Sequence, residues 1–528
     1  MRSGTDSAEP PHKTEILWGY GLLHTTAYTP KRPIMSDKLQ IALAEGDGIG
    51  PEITKACLRV FEAAGCMDHL EFVPVEMGEA VFESGNTKGV TDKALETVEN
   101  LGLLYKGPMG TPTGGGGKSI NVTLRKALGA FANLRHFQSL PGVETVYSKA
   151  GVPVDFYVVR ENIEDTYGGI EHRLTNDVVE CKRLISAPGS DQVHRFAFKT
   201  AANFGIDLVH CGHKANIMKM SDGLFLKRFY NEAEKYPSID SQDVIIDALC
   251  MNLVLRPDAY KMVVLPNLQG DIVSDLAAGL VGGLGFAPSA NIGEKISIFE
   301  AVHGTAPDIA GQNKANPTSL LLSGLIMLRH IGMRQQAAII ENALLYTLES
   351  GIHTGDVKGE NDPVGTREFG EAIAGNLGKE PSGREARKVP SESTPEFTPP
   401  SRPSENRMMR TFTDSTSEVA GCDVYIDTLL SPNDLANKLD AICESTPFKL
   451  TMMSNRGTQI WPMGSIYTEM VDYYRCRFEL RDRAQIGSVD QAASIELLGK
   501  IGQAFPVTDF QPLRDYDGKP GYSLAQGQ

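Results

Sequence analysis

Three stretches of this sequence place charged side chains where strands are predicted to end or helices to begin. They are Lys118-Ser-Ile-Asn-Val-Thr-Leu-Arg125, which runs on to Arg135; Arg160-Glu-Asn-Ile-Glu-Asp-Thr-Tyr167; and Asn267-Leu-Gln-Gly-Asp271-Ile-Val-Ser-Asp275. Guanidinium groups match the planar geometry of carboxylates, and carboxylates are ligands that hard divalent cations prefer. Two aspartates four residues apart near a helix start often serve only the helix dipole. The three stretches together nevertheless predict a site for an anionic substrate and a metal ion.

Two glycine-rich stretches resemble phosphate-binding loops but differ from them at one position each. Gly110-Thr-Pro-Thr-Gly-Gly-Gly-Gly-Lys-Ser119 has Pro112 where a P-loop requires glycine, and proline has no N–H to hold a phosphate. Gly46-Asp-Gly-Ile-Gly50 is followed by Pro51 at the place of the third glycine of the dinucleotide-binding fingerprint. We therefore expect neither a P-loop kinase nor an ordinary Rossmann turn.

Strands and helices are predicted to alternate from Leu39 to about Gly378. Leu39–Ala44 is predicted as a strand, and the helix after it carries Ile53, Cys57 and Val60 on one face. Further strands are predicted at Phe156–Val159, Leu208–His210, Val244–Asp247 and Met262–Leu265. Such alternation is typical of an α/β protein with a largely parallel sheet.

The two ends of the chain differ from this region. Residues 1–38 are predicted to be a disordered extension, and residues 379–420 a linker rich in Pro and Ser. Residues 421–528 are predicted to form a small α+β domain whose role the sequence does not reveal. In it Ser431-Pro432 caps a helix, and apolar and charged residues alternate over Tyr474–Arg481 as in a strand with one exposed face.

Composition excludes several classes of partner. The 528 residues carry 51 Lys and Arg against 66 Asp and Glu, a net charge of -15, which argues against nucleic acid or an anionic membrane surface. The eight cysteines show no Cys-x-x-Cys pair, which favours a reducing cytoplasmic setting. No apolar run approaches the length needed to span a bilayer.

From Leu39 to Gly378 the chain resembles the isocitrate/isopropylmalate dehydrogenase family of β-decarboxylating dehydrogenases. The resemblance rests on segments in one order: Gly46-Asp-Gly-Ile-Gly-Pro-Glu52, the three stretches above, His213-Lys-Ala-Asn-Ile-Met-Lys219, and Glu300-Ala-Val-His-Gly-Thr-Ala-Pro-Asp-Ile-Ala-Gly-Gln-Asn-Lys-Ala-Asn-Pro317. It implies a two-lobed fold that is not a Rossmann fold. Residues 39–130 and 282–378 would form a large cofactor-binding lobe, and 131–281 a small lobe for dimerisation and substrate. The active form would be a homodimer with shared active sites, of the longer type with an extra C-terminal domain.

The same resemblance assigns roles to the charged residues. Arg125, Arg135 and Arg160 would bind the substrate carboxylates, and Tyr167 would be the catalytic acid. Lys214, the general base, and the metal ligand Asp247 would both come from the partner subunit. Asp271 and Asp275 would complete a site for Mg²⁺ or Mn²⁺.

Two residues favour isocitrate as the substrate. Isopropylmalate enzymes resemble this segment but carry leucines where the chain has Ser119 and Asn121, which can hydrogen-bond a third carboxylate. Leaving them unpaired against an alkyl group would cost about 1–3 kcal/mol each. Other 3-substituted malates, namely isopropylmalate or homoisocitrate, remain alternatives, as does a non-catalytic regulatory subunit.

The cofactor site is assigned by resemblance to the family's adenosine-binding loop. NADP-using relatives have Lys-Tyr where this chain has Asp308 and Ile309, and a carboxylate would repel the 2′-phosphate. NAD is therefore the predicted cofactor. The predicted cofactor-binding residues are Thr111, Asn216, His303, Gly304, Thr305, Ala306, Asp308, Ile309 and Asn316.

Overall fold

The computed structural model describes residues 38–110, 119–357, 361–390, 397, 415–464 and 467–524. These residues form two compact units. The first contains those up to Tyr167 and those from Leu184 to Asn406, and the second contains Gly168–Arg183 and those from Arg407 onwards. Among the helices of the described ranges, none is both long and apolar enough to cross a membrane. The predicted extension, residues 1–38, lies outside the described residues except for Lys38.

The secondary structure follows the alternation expected from the sequence. The strands of the described residues are β1 (Leu39–Ala44), β2 (Leu70–Pro74), β3 (Leu103–Lys106), β4 (Ala132–Gln138), β5 (Asp155–Glu161), β6 (Glu171–Arg173), β7 (Val179–Cys181), β8 (Leu208–His213), β9 (Asp240–Ile245), β10 (Met262–Leu265), β11 (Pro288–Ile292), β12 (Ser297–Ala301), β13 (Ser417–Asp427), β14 (Phe448–Asn455), β15 (Thr458–Trp461), β16 (Tyr473–Leu480), β17 (Val507–Tyr516) and β18 (Lys519–Pro520). The helices are α1 (Gly50–Ala63), α2 (Glu79–Glu83), α3 (Asp92–Leu101), α4 (Ile120–Ala127), α5 (Val146–Ala150), α6 (Ala187–Phe204), α7 (Ser221–Ala233), α8 (Ile246–Leu255), α9 (Asn267–Leu280), α10 (Thr318–His330), α11 (Arg334–Glu349), α12 (Thr366–Gly375), α13 (Pro432–Cys443) and α14 (Gln491–Ala504).

The first unit is built on one ten-stranded sheet in the order β2-β1-β3-β12-β11-β4-β5-β10-β8-β9. The pairs among β2, β1, β3 and β12 are parallel, as are those among β5, β10, β8 and β9. Antiparallel pairs through β11 and β4 join the two parallel blocks. This α/β architecture confirms the predicted fold class, with a mixed sheet.

The central strands are buried along their whole length because helices cover both faces of the sheet. Every residue of β4, β10, β11 and β12 is buried. β10 is apolar throughout, as expected for a strand in a sheet covered on both sides, whereas β4 also buries Asn133, Arg135, His136 and Gln138. The charged residues that do occur in them, Arg135 in β4 and Glu300 in β12, are therefore exceptions that require partners.

Helix α1 shows why local sequence predicted the elements well. Pro51 lies in its first turn, where a missing N–H costs nothing, and Ile53, Cys57 and Val60 are buried on one face. The strand expected at Val244–Asp247 was wrong at both ends: it runs from Asp240 to Ile245, and Asp247 lies in the first turn of α8. An acidic residue there is favoured by the helix dipole.

The second unit is an antiparallel sheet with two helices, which confirms the small α+β domain. The sheet order is β15-β14-β16-β13-β17-β18, and the hairpin of β6 and β7 forms a separate two-stranded sheet. Apart from the short β15, the elements follow one another in the order β13-α13-β14-β16-α14-β17, which is the split β-α-β arrangement. Cys422, Val424 and Ile426 of β13 belong to its apolar core.

Two sequence expectations in this unit had different outcomes. Ser431 caps α13 as predicted, accepting a hydrogen bond from the N–H of Asp434 at 3.2 Å. The exposed face predicted for the strand at Tyr474–Arg481 is wrong at Arg477, which is 2% exposed. Arg477 lies opposite Asp423 in the register of β13 and β16 and donates to its carboxylate at 2.8 Å. The partner on the neighbouring strand makes the burial possible.

Part of the predicted linker, residues 379–420, makes specific contacts within the first unit. The N–H of Ser382 donates to the carboxylate of Glu349 at 2.7 Å. The guanidinium of Arg387 donates to Glu341 at 2.8 Å. At the other end of this range, β13 begins at Ser417.

Candidate active site

Two of the predicted arginines lie on neighbouring strands in the middle of the ten-stranded sheet. Arg160 of β5 stands opposite Asn133 of β4. Because Arg135 is two residues after Asn133, all three side chains lie on one face. Arg135 and Arg160 are 4% and 1% exposed.

Helix α9 orients both guanidinium groups through neutral acceptors. Arg135 donates to the hydroxyl of Ser274 at 2.6 Å, and Arg160 donates from Nε to the amide oxygen of Asn267 at 2.9 Å. Burial lowers the pKa of Arg135 to about 10, with Arg160 adding to the shift and Asp271 opposing it. Because arginine keeps its charge in proteins, both groups are cationic at neutral pH, in a position where a bound anion would stabilise them.

The two aspartates predicted as metal ligands, Asp271 and Asp275, project from α9 towards these arginines. Asp271 accepts a hydrogen bond from Arg160, and the carboxylate of Asp275 lies 3.7 Å from Arg135. Burial is the largest single effect at Asp271 and favours the neutral acid, but Arg160, the Tyr167 hydrogen bond, Arg135 and Arg125 together hold the pKa below its usual range. At Asp275 burial raises the pKa despite the attraction of Arg135.

Tyr167 closes this cluster. Its hydroxyl donates to Asp271 Oδ2 at 2.5 Å, and its ring lies under the guanidinium of Arg160 at 4.8 Å. Burial raises the pKa of the phenol, and the hydrogen bond to Asp271 adds to the shift while Arg160 opposes it. The phenol is therefore protonated at neutral pH, as a proton donor must be.

Arg125 is held by a buried ion cluster that the sequence analysis did not identify. Glu300 of β12 accepts from Arg125 at 2.7 Å, from Asn291 at 2.6 Å and from the ammonium of Lys106 at the end of β3. The side chains of Lys106 and Glu300 are 1% and 4% exposed. The sequence did contain a signal of this buried ion pair, because Lys106 ends an otherwise apolar strand. Glu300 opens one of the segments that carried the family resemblance.

Helix α4 carries polar atoms that lack partners inside the described chain. Asn121 Oδ1 and Arg125 Nε are both buried without a hydrogen bond in the described ranges. The residues are four apart on one helical face, and Ser119 is the N-cap residue of α4, as predicted. Because buried polar groups are nearly always hydrogen-bonded, these atoms make α4 a candidate contact for a polar ligand.

Lys214 and Asp247 form a second group. The ammonium of Lys214, just after β8, donates to the carboxylate of Asp247 in α8. This contact holds the pKa of Asp247 below its usual range. Asn216, predicted to bind the cofactor, lies exposed in the turn after Lys214. Within the described ranges, no group of three or more His, Cys, Asp or Glu side chains is placed to hold a metal ion.

The predicted cofactor loop, residues 303–316, packs on the glycine turn after β1. The N–H of Ile49 donates to the carbonyl of Thr305 at 2.9 Å. A Cβ on Gly48 would stand 2.1 Å from that oxygen, and its φ of +59° also disfavours other residues. The glycine motif Gly46–Gly50 thus serves close backbone packing. Asp47 in the same turn accepts from the N–H of Gly110 at 2.8 Å.

Within this loop, His303 Nε2 is buried without a partner in the described ranges, and burial lowers its pKa. Both polar groups of Asn316 have partners: it donates to Asp356 at 2.9 Å and accepts from the N–H of Thr318 at 2.9 Å. Gly304 and Ala306 are exposed, whereas Ile309 packs partly against the main core. Thr111 lies outside the described residues.

Known proteins match this chain over nearly its whole length. Residues 40–373 match the isocitrate/isopropylmalate dehydrogenase family, and residues 417–528 match the C-terminal domain of bacterial isocitrate dehydrogenases. An isocitrate dehydrogenase [NADP] of Thermus thermophilus is 42% identical over 96% of this chain and 99% of its own. A solved structure, the TT0538 protein of Thermus thermophilus, superposes with a TM-score of 0.85 at 41% identity, covering 94% of this chain and 98% of its own. A mitochondrial NAD-dependent catalytic subunit of Arabidopsis thaliana is 46% identical over 69% of this chain and 96% of its own.

The prediction of NAD as the cofactor is contradicted. The relatives that match the chain over nearly its whole length, from Thermus thermophilus and from five Rickettsia species at 36–37% identity, are named NADP-dependent. The prediction from Asp308 required strong repulsion of a phosphate. Asp308 is exposed in the short turn Pro307–Ile309, and the interaction of two unit charges 4 Å apart falls from about 4 kcal/mol near a protein surface to about 1 kcal/mol in bulk water.

A cation is also linked to this turn through Gln312. The amide of Gln312 donates to the backbone carbonyl of Asp308 at 2.7 Å, and its oxygen accepts from the ammonium of Lys314 at 2.9 Å. A single carboxylate in this loop is therefore weak grounds for rejecting a phosphate. The family matches over both parts of the chain are unaffected by this correction: the chain belongs to the isocitrate/isopropylmalate dehydrogenase family and carries the C-terminal domain of its bacterial isocitrate dehydrogenases.

Proposed function

We propose that this chain oxidatively decarboxylates isocitrate to 2-oxoglutarate and carbon dioxide, with NADP as the oxidant and Mg²⁺ or Mn²⁺ bound at the substrate. The observation that carries the proposal is the cluster of Arg125, Arg135 and Arg160 around Asp271, beside the unpartnered buried atoms of α4. Three guanidinium groups suit a substrate with three carboxylates. The names of the full-length relatives support both isocitrate and NADP.

Substrate binding would replace contacts that the cluster makes with itself. Arg135 and Arg160 now share Asp271, and a bound carboxylate would take hydrogen bonds from both. Asn121, Arg125 and Ser119 would bind the third carboxylate, because a side-chain amide can present either donor or acceptor atoms. An alkyl group there would leave Asn121 unpaired.

The acidic residues fit a hard divalent cation. Asp271 and Asp275 are one turn apart on α9 and offer carboxylate oxygens, the ligand type that Mg²⁺ takes. Asp247 of the partner subunit would supply a further ligand. The bound ion would polarise the substrate hydroxyl and the carbonyl derived from it. Freed from Asp271, the Arg160 guanidinium would be available to the substrate.

Two side chains would move the protons. Lys214 of the partner subunit would take the hydroxyl proton, directly or through Asp247. After carbon dioxide leaves, the Tyr167 phenol would deliver its proton to the substrate carbon. Its raised pKa keeps the proton on the phenol until that step.

A homodimer with shared sites is supported by the apolar surface of two helices. Met251, Val254 and Leu255 of α8 are 56%, 46% and 70% exposed, and Ile272 of α9 is 60% exposed. Exposed apolar side chains grouped on neighbouring helices are typical of interaction sites. Ile272 is next to Asp271, so a second copy seated on α8 and α9 would bring its Lys214 and Asp247 towards the cluster.

The lobes and the cellular setting follow from the same proposal. Residues 39–130 and 282–378 would bind the nucleotide, with Thr111 and the 303–316 loop beside it, and residues 131–281 would carry the substrate and dimer contacts. All eight cysteines are free, which supports a reducing compartment such as the cytoplasm.

The test is a steady-state assay of the purified protein with Mg²⁺. Absorbance of the reduced nicotinamide is followed with isocitrate, isopropylmalate or homoisocitrate, and with NADP or NAD. We expect turnover with isocitrate and a higher kcat/KM for NADP. A preference for isopropylmalate or homoisocitrate would refute isocitrate as the substrate, and a higher kcat/KM for NAD would refute NADP as the cofactor. If no combination gave turnover, the chain would instead be a non-catalytic regulatory subunit.

A further inference from the structure

Tyr167 is the last residue of the first unit before the chain crosses into the second. The hairpin that follows it, Gly168–Arg183 with strands β6 and β7, belongs to the second unit together with the C-terminal domain. The proposed proton donor is therefore joined by one peptide bond to a segment that the C-terminal domain holds.

The base of this hairpin is fixed in the first unit. Asp165 and Leu184 form an antiparallel bridge, and the N–H of Asp165 donates to the carbonyl of Leu184 at 2.9 Å. Asp165 is fully buried with a φ of 66°, and its carboxylate accepts from the N–H of Leu268 in α9 at 3.0 Å. Only Thr166 separates this bridge from Tyr167. Along the chain, Tyr167 thus lies between a segment held by α9 and the hairpin that begins at Gly168.

The far part of the hairpin is fixed in the second unit. The hydroxyl of Thr175 donates to Asp472 Oδ1 at 2.6 Å, and both residues are buried, at 6% and 8% exposure. Lys182 of the same hairpin lies 3.4 Å from the carboxylate of Glu180 and 3.5 Å from that of Asp509. A buried hydrogen bond to a carboxylate is stronger than a neutral one, so Asp472 is the firmest of these anchors.

We propose that Asp472 is a positioning residue for catalysis: by holding Thr175, it fixes the hairpin and thereby keeps the Tyr167 phenol aligned on the reacting carbon. This gives the C-terminal domain a role in the protonation step, and it rests on the proposed function of Tyr167. The effect should be partial, because Lys126 also donates to the backbone carbonyl of Tyr167 at 2.5 Å. Small displacements of a catalytic group can cost up to about 100-fold in rate.

The test isolates the step that uses Tyr167. In the reverse direction its phenolate removes a proton from C3 of 2-oxoglutarate, the enolate forms, and solvent returns a deuteron. Loss of the C3 hydrogen is followed by NMR in deuterated buffer, with the full-length enzyme, Mg²⁺ and reduced cofactor. Asp472→Ala is compared with Asp472→Asn, which keeps the acceptor oxygen for Thr175. Ser431→Ala is the matched control, since it removes a helix cap elsewhere in the same unit.

We expect Asp472→Ala to lower the exchange rate about tenfold with the KM for isocitrate unchanged, and Asp472→Asn to restore most of it. Ser431→Ala should exchange like wild type. Wild-type exchange in Asp472→Ala, or an equal loss in Ser431→Ala, overturns the proposal. If Asp472→Ala does not fold, Lys182→Ala replaces it, with a smaller loss expected and the same overturning result. Wild-type exchange in Tyr167→Phe would instead refute the acid role of Tyr167.

Discussion

Replacing Glu300 by glutamine tests the buried ion cluster that holds Arg125 of α4. The change keeps the shape of the side chain and one acceptor for Asn291, but it removes the charge that neutralises Lys106 and Arg125. The side chain of Lys106 is 1% exposed, so water cannot take over from the lost carboxylate. We therefore expect a large loss of stability without any cavity.

The magnitude follows from what Lys106 can do in the variant. Breaking a buried ion pair on one side costs about 3–5 kcal/mol. The lysine can also shed its proton, and holding a lysine neutral at pH 7 costs about 4.6 kcal/mol at 1.36 kcal/mol per pKa unit from a pKa near 10.4. Because the lysine can lose its proton, the cost of the broken ion pair cannot greatly exceed the cost of holding the lysine neutral. The free energy of unfolding should thus fall by about 3–5 kcal/mol, a large share of a typical total.

The sign of the pH dependence is also determined. Burial already lowers the pKa of Lys106 in the native protein. In the variant the unfolded state binds more protons than the native state between the two lysine pKa values, so its stability rises with pH there. Glu300 shows the opposite case: its pKa lies well below the usual range, because burial is outweighed by Lys106 and Arg125. Its contribution to wild-type stability is present above the unfolded glutamate pKa and is lost only in strong acid.

The assay is urea unfolding followed by circular dichroism at several pH values from neutral to moderately alkaline. Glu371→Gln is the control, because Glu371 is 51% exposed and pairs with Arg59 on the surface, where a loss below about 1 kcal/mol is expected. A double variant, Glu300→Gln with Lys106→Met, should recover most of the loss. The reasoning is refuted if Glu300→Gln behaves like the surface control, or if its deficit does not shrink as the pH rises.

Three further predictions concern the site. Asn121→Leu should raise the KM for isocitrate about tenfold in steady-state kinetics, since it removes a polar group next to the third carboxylate. An unchanged KM would show that Asn121 does not bind the substrate. Gly48→Ala should destabilise the fold in urea titrations and raise the KM for NADP, because its Cβ meets the Thr305 carbonyl at 2.1 Å, whereas Gly499→Ala has open space and should be neutral or stabilising. Chelation by EDTA should abolish turnover and Mg²⁺ restore it, and Asp275→Asn should need a higher Mg²⁺ concentration; activity that resists EDTA would contradict the metal site.

Much of the fold could be predicted from short-range patterns. The face of α1 at Ile53 and Cys57, the cap at Ser431 and the α/β alternation all depend on neighbours a few residues apart, where helix period and capping chemistry act. The residues of the arginine cluster were also found, because their order in the sequence resembles a known family. The cofactor prediction was wrong: it rested on one exposed carboxylate in a loop, whereas the full-length relatives are named NADP-dependent.

Sequence alone thus determined the architecture, the family and the arginine and aspartate cluster. Tertiary structure decided which charges are buried and with which partner. Lys106 meets Glu300 and Arg477 meets Asp423 only when distant strands are paired in register. The hairpin after Tyr167 likewise joins the C-terminal domain through residues almost 300 positions away. Local patterns do not reveal such pairs, because the energy of a buried charge depends on its surroundings in space rather than on its neighbours along the chain.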